Sequence, residues 1–317
     1  MSNKSIACLG ECMLELSAAG DDLFKMRYGG DVLNTAVYLS RLGSKVSVVT
    51  AMGQDKRSQN VISKWQKEGL DVDAVFQDEQ RLPGMYLIET DEYGERSFYY
   101  WRKESAARQM FQLSTAYFQS LIKHDIIYFT GITLSLLSAT TYSAFINMLM
   151  RLKEAGKQVA FDLNYRPANW RSAQNAISNI EDVLPYLDII FPSYDDHLVL
   201  HPKHSKKNAV NYYDEFGIGT IVLKNGADGC YVKASNTDRI QHFPTLPITP
   251  IDTTAAGDAF NAGYLHAYMK DGKVSKCVEL AQKVASVVIQ HPGAIIQPDS
   301  FNQAFNAQET SLKTGAL

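Results

Sequence analysis

In Asp252-Thr253-Thr254-Ala255-Ala256-Gly257-Asp258-Ala259-Phe260, two carboxylates flank a run of residues with little or no side chain. Phe260, Gly263, Tyr264 and Ala267 follow at intervals that place them on one face of a helix beginning near Gly257. A helix leaves its first backbone N–H groups unpaired, and those donors attract an anion with the help of the helix dipole. Asp258, inside the first turn, would project its carboxylate into the same pocket, where it suits the removal of a proton from an attacking hydroxyl. Asp252 and Thr254 have a plainer use as helix caps. Capping needs one such residue, and leaves an Ala-Ala-Gly run followed by a second aspartate unexplained.

The elements that must hold such a pocket alternate between strand and helix. Residues 5–9 read as an apolar strand ending at Gly10-Glu11, and 12–16 resume the alternation as its partner in a short strand pair. Tyr28-Gly29-Gly30-Asp31-Val32-Leu33-Asn34 then sets two glycines before a helical pattern closed by Gly43. Those glycines would let the backbone approach a ligand whose hydroxyls Asp31 and Asn34 could bond. A strand over 45–52 and a helix through Val61, Ile62 and Trp65 continue a βαβ rhythm. It breaks at 85–91 and 96–102, which alternate as strands around the turn 92–95, so this hairpin is expected outside the main sheet, as a lid.

Strands resume at 126–129, 159–163, 187–191 and 220–223, apolar enough for a parallel sheet covered on both faces. Polar clusters follow them: Asp162-Leu163-Asn164-Tyr165-Arg166, Ser193-Tyr194-Asp195-Asp196 and Lys224-Asn225-Gly226-Ala227-Asp228-Gly229. Open α/β sheets bind ligands at this carboxyl edge. A hairpin over 230–243 and two closing helices, near 258–270 and 274–290, end the domain.

A chain of 317 residues, 45% hydrophobic and 21% charged, suits one large α/β domain with an excursion. Its net charge of −3 gives no electrostatic case for nucleic acid or an anionic membrane, so any anion site must be local. Cys8, Cys12, Cys230 and Cys277 form no CxxC pair and no zinc spacing, and no segment approaches the length of an apolar span; reduced thiols in a cytoplasmic protein are expected. His197, His201 and His204 have the offsets of a metal-binding helix face, but Pro202 interrupts it and solvated surface histidines are expected. No GxGxxG, GxxxxGK[ST] or GxSxG pattern is present.

The two glycine-rich stretches together resemble the signatures of the ribokinase-like (PfkB) carbohydrate kinases. Gly29-Gly30 with Asn34, Ala36 and Arg41-Leu42-Gly43 is similar to the first, GGxxxNxAxxxxRLG, and Asp252 to Asp258 to the second, DTxGAGD. The resemblance covers nearly the whole chain. It implies a doubly wound, mainly parallel α/β sheet flanked by helices (1–11, 32–81 and 105–317) with a small β lid (12–31 and 82–104). It implies ATP-dependent phosphorylation of a hydroxymethyl group with Mg²⁺, and admits a monovalent cation and a homo-oligomer formed through the lid. Asp258 would be the base, and Ala255, Ala256 and Gly257 the anion hole. Lys224, Asn225, Gly226, Ala227, Asp228 and Gly229 would line the nucleotide site, with Asp162 and Asn164 near the phosphates and His291-Pro292-Gly293-Ala294 beside the adenine. Three departures stand out. Ala255 replaces a customary glycine, which requires a negative φ there. Ser58 ends Gly53-Gln54-Asp55-Lys56-Arg57-Ser58 where glycine is usual, and Ser193 and Asp196 replace the Asn and Glu that many members hold near magnesium, so the metal ligands are left unassigned.

The lid carries the clue to the substrate. Tyr86, Tyr100 and Arg102, with Arg166 on the main domain, would suit a sugar acid, because a guanidinium fork matches a carboxylate. With Gly30, Asp31 and Asn34, this set is similar to that of family members acting on 2-keto-3-deoxygluconate, which implies phosphate transfer to its 6-hydroxyl. Fructose or another neutral sugar is the alternative, and a silent sugar- or nucleotide-binding protein a weaker one, since such a protein has no use for Asp258.

Overall fold

The computed structural model describes residues 4–314 except 19, 21, 22, 91–95, 236, 238 and 271. Short runs of branched and aromatic residues form a nine-stranded sheet. From edge to edge its strands are Gln241–Phe243, Cys230–Ala234, Thr220–Lys224, Ile189–Phe191, Gln158–Asp162, Ile126–Thr130, Ser5–Leu9, Lys45–Gly53 and Val75–Asp78. The first two are antiparallel to their neighbours and the remainder parallel. Side chains of successive residues leave a strand on opposite faces, and the packing follows: Ile126 and Tyr128 join one apolar cluster, Ile127 and Phe129 the other. Helices Ala256–Lys270 and Val274–Ile289 cover the first face, and Ala139–Glu154 the second. Chain order reverses at Ser5–Leu9, between Ile126–Thr130 and Lys45–Gly53, so the crevice for a ligand opens at the carboxyl ends of these strands.

Phe24–Gly29, Met13–Ala18, Gly84–Thr90 and Arg96–Trp101 form a separate small sheet in that order. The strand pair expected between 5–9 and 12–16 is therefore not formed. Gly10-Glu11-Cys12 instead carries the chain from one sheet to the other. The hairpin of Gly84–Thr90 and Arg96–Trp101 is antiparallel, as its alternation predicts, and its turn lies outside the described residues. A third closing helix, Pro298–Thr314, follows the two expected ones, with Pro298 at a helix start that needs no N–H from it.

The helix Tyr194–Leu200 stops before Pro202, yet its histidine is not solvated. His197 is fully buried, its Nδ1 at 2.9 Å from the Tyr213 hydroxyl and its Nε2 at 3.1 Å from His204 Nδ1. The spacing that suggested a metal face turns the rings inward against Lys206–Asp214. No group of His, Cys, Asp or Glu among the described residues could hold a metal ion. Burial first, then His201 and His204, push the His197 pKa down to about 3. As pH falls below about 6.5 the unfolded chain takes up a proton that the native ring refuses, so the fold loses about 2 to 3 kcal/mol by pH 4.5. His197→Phe is expected to flatten the fall in Tm between pH 7 and 4.5; an unchanged slope would remove this cluster from the acid response.

Candidate active site

Asp252 organises the turn that enters the helix Ala256–Lys270. Its Oδ1 accepts from the amide and hydroxyl of Thr254 at 2.9 and 2.7 Å, and its Oδ2 from the amide of Gly293 at 2.7 Å. Ala255 then adopts φ +61°, opposite in sign to the expectation. The turn must reverse hand to meet the helix, and alanine sustains this at a cost of about 1–2 kcal/mol. The amides of Ala255 and Gly257 have no partner among the described residues, whereas that of Ala256 donates to Thr253 O at 3.1 Å. Two of the three expected anion-hole donors are thus available, and the third closes the turn.

Asp258 is buried, and its Oδ2 accepts from Asn34 Nδ2 at 2.9 Å. Gly30 brings Asn34 there: with φ +136°, it starts the helix Asp31–Arg41 where a Cβ would lie 2.6 Å from the Glu11 carbonyl oxygen. Asp31 stands behind, receiving the Thr130 hydroxyl at 2.5 Å and Asn164 Nδ2 at 2.8 Å. Burial first and the Asp31 charge second push the Asp258 pKa up to about 7, against the pull of Asn34 and Lys224. Burial raises Asp31 too. A carboxyl poised near neutrality and held by an amide can take up a proton at physiological pH.

Asp162, expected near the phosphates, is taken up by partners within the protein. Its Oδ2 accepts from Lys224 Nζ at 2.7 Å and Asn261 Nδ2 at 2.5 Å, and its Oδ1 from the amide of Asn164 at 3.1 Å. Asn164 is likewise directed to Asp31. Beside Lys224 opens a cavity of about 540 Å³ lined by Gly226, Ala227, Gly229, Ala256 and Gly257, by residues 245–250 and by Gln282, Ala285 and Ser286 of the second closing helix. Asn225 and Asp228 pair with each other instead, Nδ2 to Oδ2 at 3.0 Å. His291-Pro292-Gly293-Ala294 is absent from this lining: Gly293 serves Asp252, and Ala294 O accepts from Tyr38.

On the small sheet, strand register puts Glu15, Tyr86 and Tyr100 in one row, and Arg102 follows on the same face. Tyr86 donates to Glu15 Oε2 at 2.5 Å. A Cβ on Gly29 would lie 2.8 Å from the Tyr86 hydroxyl and 3.9 Å from Asn34 Oδ1, so the sheet converges on Asp258's partner. Arg102 is buried and forms an ion pair with Glu11, whose Oε1 also accepts from Ser105 at 2.5 Å. Arg166 lies apart from this pair, half-exposed and bonded to Tyr165 O at 2.7 Å and Asp196 Oδ1 at 3.3 Å. Glu11, Glu15, Thr130 and Asn261 escaped the sequence argument. Glu11 had a signal, a charge closing an apolar strand, and Asn261 another, one helical turn beyond Asp258.

A buried carboxylate, a helix start with free amides and an apolar cavity beside them are arranged as in an enzyme that transfers a group from a phosphorylated donor. The whole-chain comparison gives the class: residues 3–300 match the pfkB family carbohydrate kinase model, and the chain belongs to that family. Among its relatives is the 2-dehydro-3-deoxygluconokinase of Dickeya dadantii, 38% identical over 305 residues that span 93% of this chain and 98% of the relative. The same fold is found in a Vibrio cholerae fructokinase with bound fructose, ADP and calcium, at TM-score 0.83, 23% identity and coverage of 97% and 99% of the two chains. It recurs in a putative Ribokinase II of E. coli in complex with ATP and Mg²⁺, at TM-score 0.80, 19% identity and coverage of 96% and 99%.

Proposed function

We propose that the protein phosphorylates 2-keto-3-deoxygluconate (2-dehydro-3-deoxygluconate) at its 6-hydroxyl with ATP. The observation that carries this reading is the buried guanidinium of Arg102, next to the face of the small sheet whose Tyr86 hydroxyl comes up against Gly29 beside Asn34. The name of the 38% identical relative supports the same substrate. As O6 bonds to the γ-phosphorus, its proton passes to Asp258. The bond from that phosphorus to the bridging oxygen breaks, and its electron pair leaves with ADP. Such a transition state is loose, so placement and electrostatics contribute more than basicity. The amides of Ala255 and Gly257 would receive the transferred phosphoryl, and Lys224, Gly226, Ala227 and Gly229 the nucleotide. Among the described residues no carboxylate cage is built for magnesium. The ion would come on the ATP phosphates, largely hydrated, with Asp196 the nearby carboxylate on offer, and would neutralise phosphate charge.

One observation favours a second reading. Glu11 already neutralises Arg102, which suits a neutral sugar such as fructose. A guanidinium with five donors can serve two carboxylates, and Arg102 Nε is buried with no hydrogen-bond partner among the described residues. A homo-oligomer formed through the small sheet belongs to the same proposal, since Phe24, Met26, Tyr99 and Trp101 are exposed on its outer face. A coupled assay with keto-deoxygluconate, keto-deoxygalactonate, fructose and ribose decides between the substrates: the sugar acids are expected to give the highest kcat/KM, and equal or faster turnover of fructose would overturn the reading.

A further inference from the structure

Lys224 ends a strand on the main sheet, and its ammonium group reaches the first turn of the helix Ala256–Lys270. A Cβ placed on Gly257 would lie 3.3 Å from Lys224 Nζ, so the absence of a side chain at 257 leaves room for a cation at the same place as the unpaired amides. Its position is fixed from behind. Lys224 Nζ donates to Asp162 Oδ2 at 2.7 Å and to Asn261 Oδ1 at 3.3 Å, while Asn261 Nδ2 donates to the same Asp162 oxygen at 2.5 Å and to the Tyr128 hydroxyl at 3.0 Å. Asn261 is fully buried, and the Lys224 side chain is 13% exposed and lines the cavity next to Gly257. A lysine held only for fold stability would not need to border an open cavity. One held only for nucleotide affinity would not need two fixed partners at its base.

We propose that Lys224 meets the phosphoryl group during its transfer, supplying a cation where the helix supplies amides, and that Asn261 is the positioning residue that aims it. This rests on the kinase reading above. Charge that builds on the equatorial oxygens as the old bond breaks and the new one forms is stabilised most by donors that need no rearrangement. The Asp162–Asn261 clamp provides that preorganisation, and it places one contact of the anion site on a strand that the sequence motif does not contain.

The test is a cycle of Lys224→Met, Asn261→Ala and the double variant, assayed with saturating ATP and the best sugar over pH 6–9. Lys224→Met is expected to lower the high-pH plateau of kcat by about 10²- to 10³-fold, the range for losing one such donor, with KM for the sugar unchanged. Asn261→Ala is expected to lower kcat by a smaller factor in the native background and to have no further effect in Lys224→Met. Equal losses in both backgrounds, or a raised KM for ATP with kcat intact, would overturn the proposal. If Asn261→Ala does not fold, Lys224→Ala with added methylammonium decides: partial recovery of kcat supports a phosphoryl contact, and no recovery opposes it. A wild-type enzyme inert toward every sugar would instead sink the kinase reading itself.

Discussion

Replacing Asp258 by asparagine is expected to lower kcat by about 10²- to 10⁴-fold, the span of lost general-base help, while making the protein more stable at pH 8. Asparagine keeps an oxygen for Asn34 Nδ2 and fills the same volume, so the geometry of the pocket survives. What disappears is a buried charge beside Asp31 and Asp162. The native carboxyl holds its proton up to about pH 7, whereas the unfolded chain releases it near 3.8. Between those values the native state binds more protons, so stability falls as pH rises, by on the order of 4 kcal/mol in total. The penalty is complete above pH 7, and the variant does not carry it. The same pKa gives the wild-type rate an acid limb: activity should fall as pH drops through about 7, because only the deprotonated carboxylate accepts a proton. Thermal melts and pH–rate profiles of the two proteins check both halves. A variant with near-normal kcat removes Asp258 from the role of base, and one with unchanged Tm at pH 8 removes the burial argument.

Arg102→Ala is expected to raise KM for keto-deoxygluconate by about 10- to 150-fold, corresponding to the 1.5–3 kcal/mol of a charged hydrogen bond, and to leave KM for ATP alone. The substitution also strands Glu11, which is buried against the guanidinium and accepts a hydrogen bond from Ser105. A lone buried carboxylate destabilises a fold strongly, while removal of both partners is far milder. The pair Glu11→Gln with Arg102→Met therefore separates the two effects. If Arg102 binds the substrate carboxylate, the double variant keeps a near-native Tm and still loses affinity for the sugar acid. If the ion pair only ties the small sheet to the strand end at Glu11, the double variant binds the sugar acid as the wild type does.

Much of this site is written locally. The run Ala255-Ala256-Gly257-Asp258 announces a helix start with bare amides and a carboxylate, because capping, helix periodicity and the anion affinity of a helix end act over a single turn. The two sheets are legible for the same reason: 126–129 is apolar throughout where both faces are covered, and 96–102 alternates where one face looks out. Local rules give the sign of φ poorly when a turn is fixed from outside. Ala255 is left-handed because Asp252 is tied both to Thr254 and to Gly293, and the second tie crosses 41 residues. The same limit explains why three histidines with an exposed-looking spacing lie against Tyr212.

The sequence by itself determined most of the elements, the class of fold and the aspartate that would serve as base, since strand and helix patterns depend on residues within a few positions of one another. Tertiary structure decided what those residues do to each other. It placed Asn34 on Asp258, gave Arg102 a carboxylate partner in Glu11, set Asp162 against Lys224 as its anchor, and raised a common aspartate to about 7. The physical reason is that burial and charge–charge energies depend on distances through space, which a chain fixes only when strands far apart in sequence are laid side by side.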